Sequence, residues 1–80
     1  MKIAQATALR LQKLCKENDI TLNKLCTLAG ITQSTGSNII HGHSKNPGIV
    51  TIKKFCDAVD ISIQDFFDDD LFINLEQEIE

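Results

Sequence analysis

The feature that most limits the fold of this chain is a pair of short helical patterns, about 22–29 and 33–41, joined by Ala29-Gly30-Ile31-Thr32. Thr21 stands where an N-cap hydroxyl would accept from an orphan backbone N–H. Ile20 before that cap and Leu25 after it form a hydrophobic staple. Gly30 ends the first helix, because a left-handed residue costs least without a Cβ. Thr32 caps the second helix and Gly42 terminates it. A turn this short forces a sharp crossing, so the second helix projects with one face free.

The flanking sequence supplies the rest of a helical bundle. Ala4, Thr7, Ala8, Leu11, Leu14 and Cys15 recur at three-and-four spacing and predict a first helix over 3–18. Ile52, Phe55, Cys56 and Val59 do the same for a fourth helix over 49–59. Ser62 and Asp65 resemble a capping box, stapled by Ile61 and Phe66, and open a short fifth helix over 63–68. No segment alternates as a strand does. The fold class expected is all-α: a compact five-helix bundle over 1–68, followed by an acidic amphipathic segment over 69–80. In that segment Leu71, Leu75 and Ile79 recur every four residues behind Asp68, Asp69 and Asp70, which predicts a short C-terminal helix.

Charge is divided unevenly. Residues 1–64 carry all eight Lys and Arg against four acids, a net +4, and residues 65–80 carry seven acids and no base, −7. The net charge of −3 therefore hides a mildly basic body, compatible with a phosphate-facing surface. No apolar run approaches the roughly 20 residues of a membrane span, and the N-terminus lacks a signal peptide's apolar core, so a cytoplasmic protein is expected. Cys15, Cys26 and Cys56 are odd in number and widely spaced, and each sits among apolar residues of a helix. They read as reduced core cysteines, with no metal and no cofactor expected. Two neighbouring histidines, without a phosphate loop or a spaced carboxylate pair, offer no catalytic constellation, so an enzyme is not expected.

The stretch TLNKLCTLAGITQSTGSNIIHGHSKNPGIVTIKKFCDAVDISIQDFF resembles the lambda-repressor-like, Cro/CI-type (xenobiotic-response-element-type) helix-turn-helix family. The resemblance spans about residues 9–67 and includes the fourth helix and the capped fifth one. It implies that the third helix enters the major groove of DNA, which is wide enough to admit a helix. Base contacts carried over by position are Gln33, Ser34 and Asn38, with Thr35 and Ser37 adjacent. Gln and Asn suit this, since each bonds bidentately to adenine. Phosphate contacts are expected from Thr21 and Asn23 at the start of helix 2, from Thr32, and from Lys45 and Asn46 in the loop after helix 3. His41 and His43 lie near the same edge and are counted with these phosphate contacts.

Three positions depart from the family pattern. The first residue of helix 2, often a phosphate-touching Gln, is Leu22. A helix 1 Arg and helix 3 Glu that often pair are replaced by Cys15 and Ile40, an exchange that is often neutral or stabilising. At the position of a large apolar residue that should staple against Ile31 stands Gly36. Either neighbours fill that gap or helix 3 is softened, and on the sequence alone Gly36→Leu is expected to raise stability.

The function expected is sequence-specific binding of double-stranded DNA as a prokaryotic or phage transcriptional regulator, such as a repressor. Regulators of this type usually act as two-fold dimers. A homodimer is expected here, with Phe66, Phe67, Leu71, Phe72, Leu75 and Ile79 at its interface. Two alternatives remain: an antitoxin that also binds a protein partner, and a protein-interaction module that has lost DNA binding.

Overall fold

The computed structural model describes residues 1–79. Helix α1 (Ile3–Glu17) buries Thr7, Ala8, Leu11, Leu14 and Cys15 of its predicted stripe, leaves Ala4 half-buried, and buries Ala6 and Arg10 besides. Helices α2 (Leu22–Ala29), α3 (Gln33–Ile40), α4 (Ile49–Ala58) and α5 (Ile63–Phe67) follow, each within one residue of its predicted end. The described residues hold no strand. One core joins the helices: Leu25 and Cys26 of α2, Ile39 of α3, Ile52, Phe55 and Cys56 of α4, and Phe66 of α5 close on Leu11 and Leu14.

The predicted caps are formed. The hydroxyls of Thr21, Thr32 and Ser62 accept from the backbone N–H of Lys24, Thr35 and Asp65. The helix ends share one device. After α1, α2, α3 and α4 the chain turns through a left-handed residue, respectively Asp19, Gly30, Gly42 and Asp60. Each turn is sealed by an N–H that reaches back five residues, as in Ile31 N–H to Cys26 O and Ile61 N–H to Cys56 O, both 3.0 Å. These bonds occupy carbonyls that a helix end otherwise leaves open.

Gly36 is corrected by the structure. It is buried, and the space beside it is already taken: a Cβ placed there would fall well inside the van der Waals radius of Cys26 Sγ on α2. The third helix lacks a side chain at this point because the second supplies one, so Gly36→Leu overpacks the site rather than filling a void.

The C-terminal segment is also corrected. In place of the expected amphipathic helix there is a three-residue 3₁₀ turn, Asp70–Phe72, followed by a turn through Ile73 and Asn74, the latter left-handed, and irregular chain over 75–79. A helix of this length is marginal in water, and stronger local bonds divert the chain. Asp69 Oδ1 accepts from Leu71 N–H at 2.9 Å, while its Oδ2 meets Lys13 Nζ at 2.6 Å. Further on, Glu76 N–H donates to Met1 O at 3.0 Å and Lys2 Nζ to Gln77 O at 2.5 Å. The segment is thereby laid along α1, and Leu71, Leu75 and Ile79 do not form one helical stripe.

A residue that sequence periodicity left aside holds the ends of the fold together. Arg10 is buried on α1, 7% exposed. Its Nε donates to Phe66 O at 2.7 Å and an Nη to Asp65 O at 3.3 Å. Its guanidinium lies 5.3 Å from the Phe66 ring centroid, with Glu17 at 3.2 Å and Asp69 at 3.9 Å. A buried cation needs such partners to offset lost hydration. The carbonyls are those left open at the end of α5, so one side chain caps the last helix and fixes it to the first.

Candidate nucleic-acid interface

Helix α3 turns Gly36 and Ile39 into the core, and its remaining side chains follow from that. At helical spacing Ser34, Asn38 and His41 run along the middle of the outward face, with Gln33 and Ser37 on one flank and Thr35 on the other. Gln33, Ser34, Thr35, Asn38 and His41 are exposed, and Ser37 is half-buried. The face carries no charged group, only hydroxyls, carboxamides and one imidazole.

Hydrogen bonds within the site decide which of these groups remain free. Thr32 Oγ1 accepts the Thr35 N–H at 3.2 Å and is 2.9 Å from Thr35 Oγ1. A Thr32 hydroxyl that donates to Thr35 leaves the Thr35 proton to point outward. Thr21 Oγ1 accepts from Lys24 N–H at 3.1 Å and keeps its own proton for another acceptor. His41 Nδ1 lies 2.9 Å from Ser37 O and 3.1 Å from Ser37 Oγ. A carbonyl only accepts, so this geometry calls for the Nδ1–H tautomer and leaves Nε2 facing away from the helix.

The loop after α3 is held against the helix by Asn38 O, which accepts from His43 N–H at 2.8 Å and Ser44 N–H at 3.0 Å. The result is a shallow cleft lined by Thr35, Asn38, His43, Asn46 and Thr51. Asn46 thus lies in the same cleft as Asn38, whereas Lys45 points to the opposite side of the loop, toward Lys2, Gln5 and His41. Thr21 and Asn23 are exposed at the other end of the motif, at the N-terminus of α2.

The residues proposed from sequence are therefore exposed or half-exposed and come from three neighbouring segments: the start of α2, the outward face of α3 and the loop that follows. Phe66, by contrast, is fully buried and cannot serve an interface in the folded chain. Phe67 and Phe72 pack edge-on at 4.9 Å, and Phe67 meets Phe66 at the same distance. Thr51 and Ser44, which complete the cleft, had no signal in the sequence beyond nearness to the loop.

A family model for the Cro/C1-type helix-turn-helix DNA-binding domain matches residues 10–70. The chain belongs to the Cro/C1-type helix-turn-helix family. The match reaches from Arg10 to the 3₁₀ turn, so the Arg10 clamp on α5 falls within the Cro/C1-type unit. Among solved structures, the crystal structure of the prophage Lp1 protein 11 is similar, with 37% sequence identity and a TM-score of 0.81. The similarity covers 94% of this chain and 100% of that one. No curated protein matches the chain. The acidic segment after residue 70 is outside the Cro/C1-type match but within a chain whose fold is shared almost end to end.

No helix among the described residues is long and apolar enough to cross a membrane. The three cysteines are buried thiols, and burial raises the pKa of each. Among the described residues no group of three or more His, Cys, Asp or Glu side chains is gathered as a metal site would need.

Proposed function

We propose that the chain is a sequence-specific transcriptional regulator of prokaryotic or phage type, and that α3 reads the major groove. The observation that carries this reading is the outward face of α3: uncharged donors and acceptors, with Gly36 and Ile39 turned into the core and Ile40 half-buried. Gln33, Ser34 and Asn38 meet base edges, with Thr35 and Ser37 beside them. Thr21, Asn23, Thr32, Lys45 and Asn46 flank that face where phosphates would pass, with His41 and His43 near the loop. The likeness to a prophage protein supports a phage-type regulator.

Binding by two copies is part of the proposal. A single domain of this size covers one half-site, and paired half-sites lie about 34–36 Å apart. Of the tail residues, Phe67, Leu71, Phe72 and Leu75 are half-buried and Ile79 is exposed, so apolar surface remains for a second copy after Phe66 is set aside. The test is selection of bound duplexes from a random pool, followed by sedimentation with and without the selected duplex. A two-fold symmetric selected site, bound by two copies, is the expected result. Recovery of no preferred sequence removes the regulator reading, and one copy on an asymmetric site removes the dimer.

A further inference from the structure

The segment after the 3₁₀ turn reaches the loop that follows α3 at Glu78, and its charge is of the same sign as DNA. Glu76 N–H to Met1 O and Lys2 Nζ to Gln77 O tie it to the start of α1. That end of α1 adjoins the end of α3. As a result Glu78 borders a single concavity with Lys2, Gln5, His41, Gly42 and Lys45. Lys45 is the one cation of the α3–α4 loop. Lys2 and Lys45 thus share their surroundings with a carboxylate carried by a segment that has no base of its own.

We infer that the C-terminal segment is an electrostatic brake: Glu78 occupies the phosphate-facing surroundings of Lys45 and Lys2 and lowers affinity for DNA of any sequence. This rests on the reading of the α3 side as the DNA face. A phosphate approaching Lys45 meets the carboxylate within the range over which exposed charges still interact, roughly 10 Å at 0.1 M salt. The opposition is independent of base sequence, so it weakens random binding and specific binding alike. The ratio of specific to random affinity, which sets occupancy among competing sites, is therefore unchanged, and the brake sets the absolute affinity. The segment is held by the Glu76 N–H bond to Met1 O, the Lys2 bond to Gln77 O and the ion pair of the Met1 ammonium with Glu76 Oε2 at 2.9 Å, so it keeps its place without Glu78 itself.

The experiment compares Glu78→Lys with Asp70→Lys in the full chain. Both change the charge equally, but Asp70 lies beside Lys13, Asp68 and Asp69, away from the loop. Affinity for a labelled duplex of random sequence is measured at about 0.05 M and about 0.3 M salt, chosen on either side of the screening range. Glu78→Lys should tighten binding several-fold more than Asp70→Lys at the lower salt, with the difference closing at the higher. Glu78→Gln should tighten it by about two- to threefold, as expected for one exposed charge at that range. In a Lys45→Ala background most of the Glu78→Gln gain should vanish. Equal gains from Glu78→Lys and Asp70→Lys, or a Glu78→Gln gain undiminished without Lys45, would show an effect of net charge alone and overturn the brake. Unchanged affinity in all Glu78 variants overturns it too, while leaving DNA binding intact. If neither the wild type nor any variant binds duplex DNA, the DNA-binding reading fails and the brake fails with it.

Discussion

Cys26 on α2 supplies the side-chain volume that Gly36 on α3 lacks. The two positions are complementary across the helix pair: the thiol sits where a Cβ at 36 would have to go, with Leu22 Cδ1 3.8 Å from the same point. The two helices can therefore approach closely at the centre of the motif, which fixes the angle at which α3 leaves the bundle.

A double-mutant cycle tests this directly. Gly36→Ala should lower stability despite the better helix propensity of alanine, because the buried Cys26 thiol must shift to admit a Cβ, and Gly36→Leu should lower it further. Overpacking of this kind costs about 1–3 kcal/mol, or roughly 4–8 °C in melting temperature per kcal/mol for a domain of this size. Cys26→Ala should offset most of the loss from Gly36→Ala. Additive effects in the double variant would mean that the two side chains do not share one volume.

The proposed division between base and phosphate contacts has its own signature. Gln33→Ala should weaken binding to a selected duplex by about 1–3 kcal/mol and leave random duplex nearly unaffected. Lys45→Ala should weaken both alike and reduce the slope of affinity against salt. Equal losses on both duplexes from Gln33→Ala would remove that residue from the base-contacting set.

Acid should reveal the tie between the tail and α1. The hydrogen bond and charge of Lys13 hold the Asp69 carboxyl below its ordinary value of 3.8, aided by the Leu71 N–H. The folded state therefore binds that proton less readily than the unfolded state. Its contribution to stability is present above the ordinary carboxylate range and is lost as pH falls through the lowered value. Asp69→Asn should lower the melting temperature at neutral pH, and the gap to wild type should close as the pH drops below 4. A gap that stays constant across that range would show that the loss is one of packing alone.

Asp60 provides a gain rather than a loss. It adopts a φ of 58° to close α4, a conformation that a β-carbon disfavours. Asp60→Gly should relieve that strain and stabilise the fold by about 0.5–1 kcal/mol, since glycine is the usual residue at this place in the motif. Chemical denaturation with an unchanged slope is the measurement, and a lower midpoint would refute the expectation.

What could be read before the structure was local. Thr21, Thr32 and Ser62 act on N–H groups three residues away, and Gly30 and Gly42 act on their own backbone, so each helix announced its boundaries. The pairing of Gly36 with Cys26 was not legible, because it depends on how two helices face each other and a glycine alone looks like a gap. The tail misled for a related reason. The spacing of Leu71, Leu75 and Ile79 satisfies a helix, but a stretch this short takes its shape from its anchors. Those anchors, Lys13, Lys2 and the Met1 carbonyl, lie more than fifty residues earlier in the chain. At the site, the family resemblance named α3 residues that are exposed or half-buried in the fold, while the cleft with Thr51 needed the loop's path.

Arg10 has a consequence for how the protein comes to exist. Its partners, Phe66 O and Asp65 O, are translated 55 residues or more after it. During synthesis the guanidinium stays solvated until α5 has left the ribosome, and the core that seats α3 is incomplete until then. A nascent chain that stops short of residue 65 has its helix-turn-helix sequence complete but its first and last helices unstitched. Such a fragment should remain a substrate for proteases, whereas chains that carry α5 should persist.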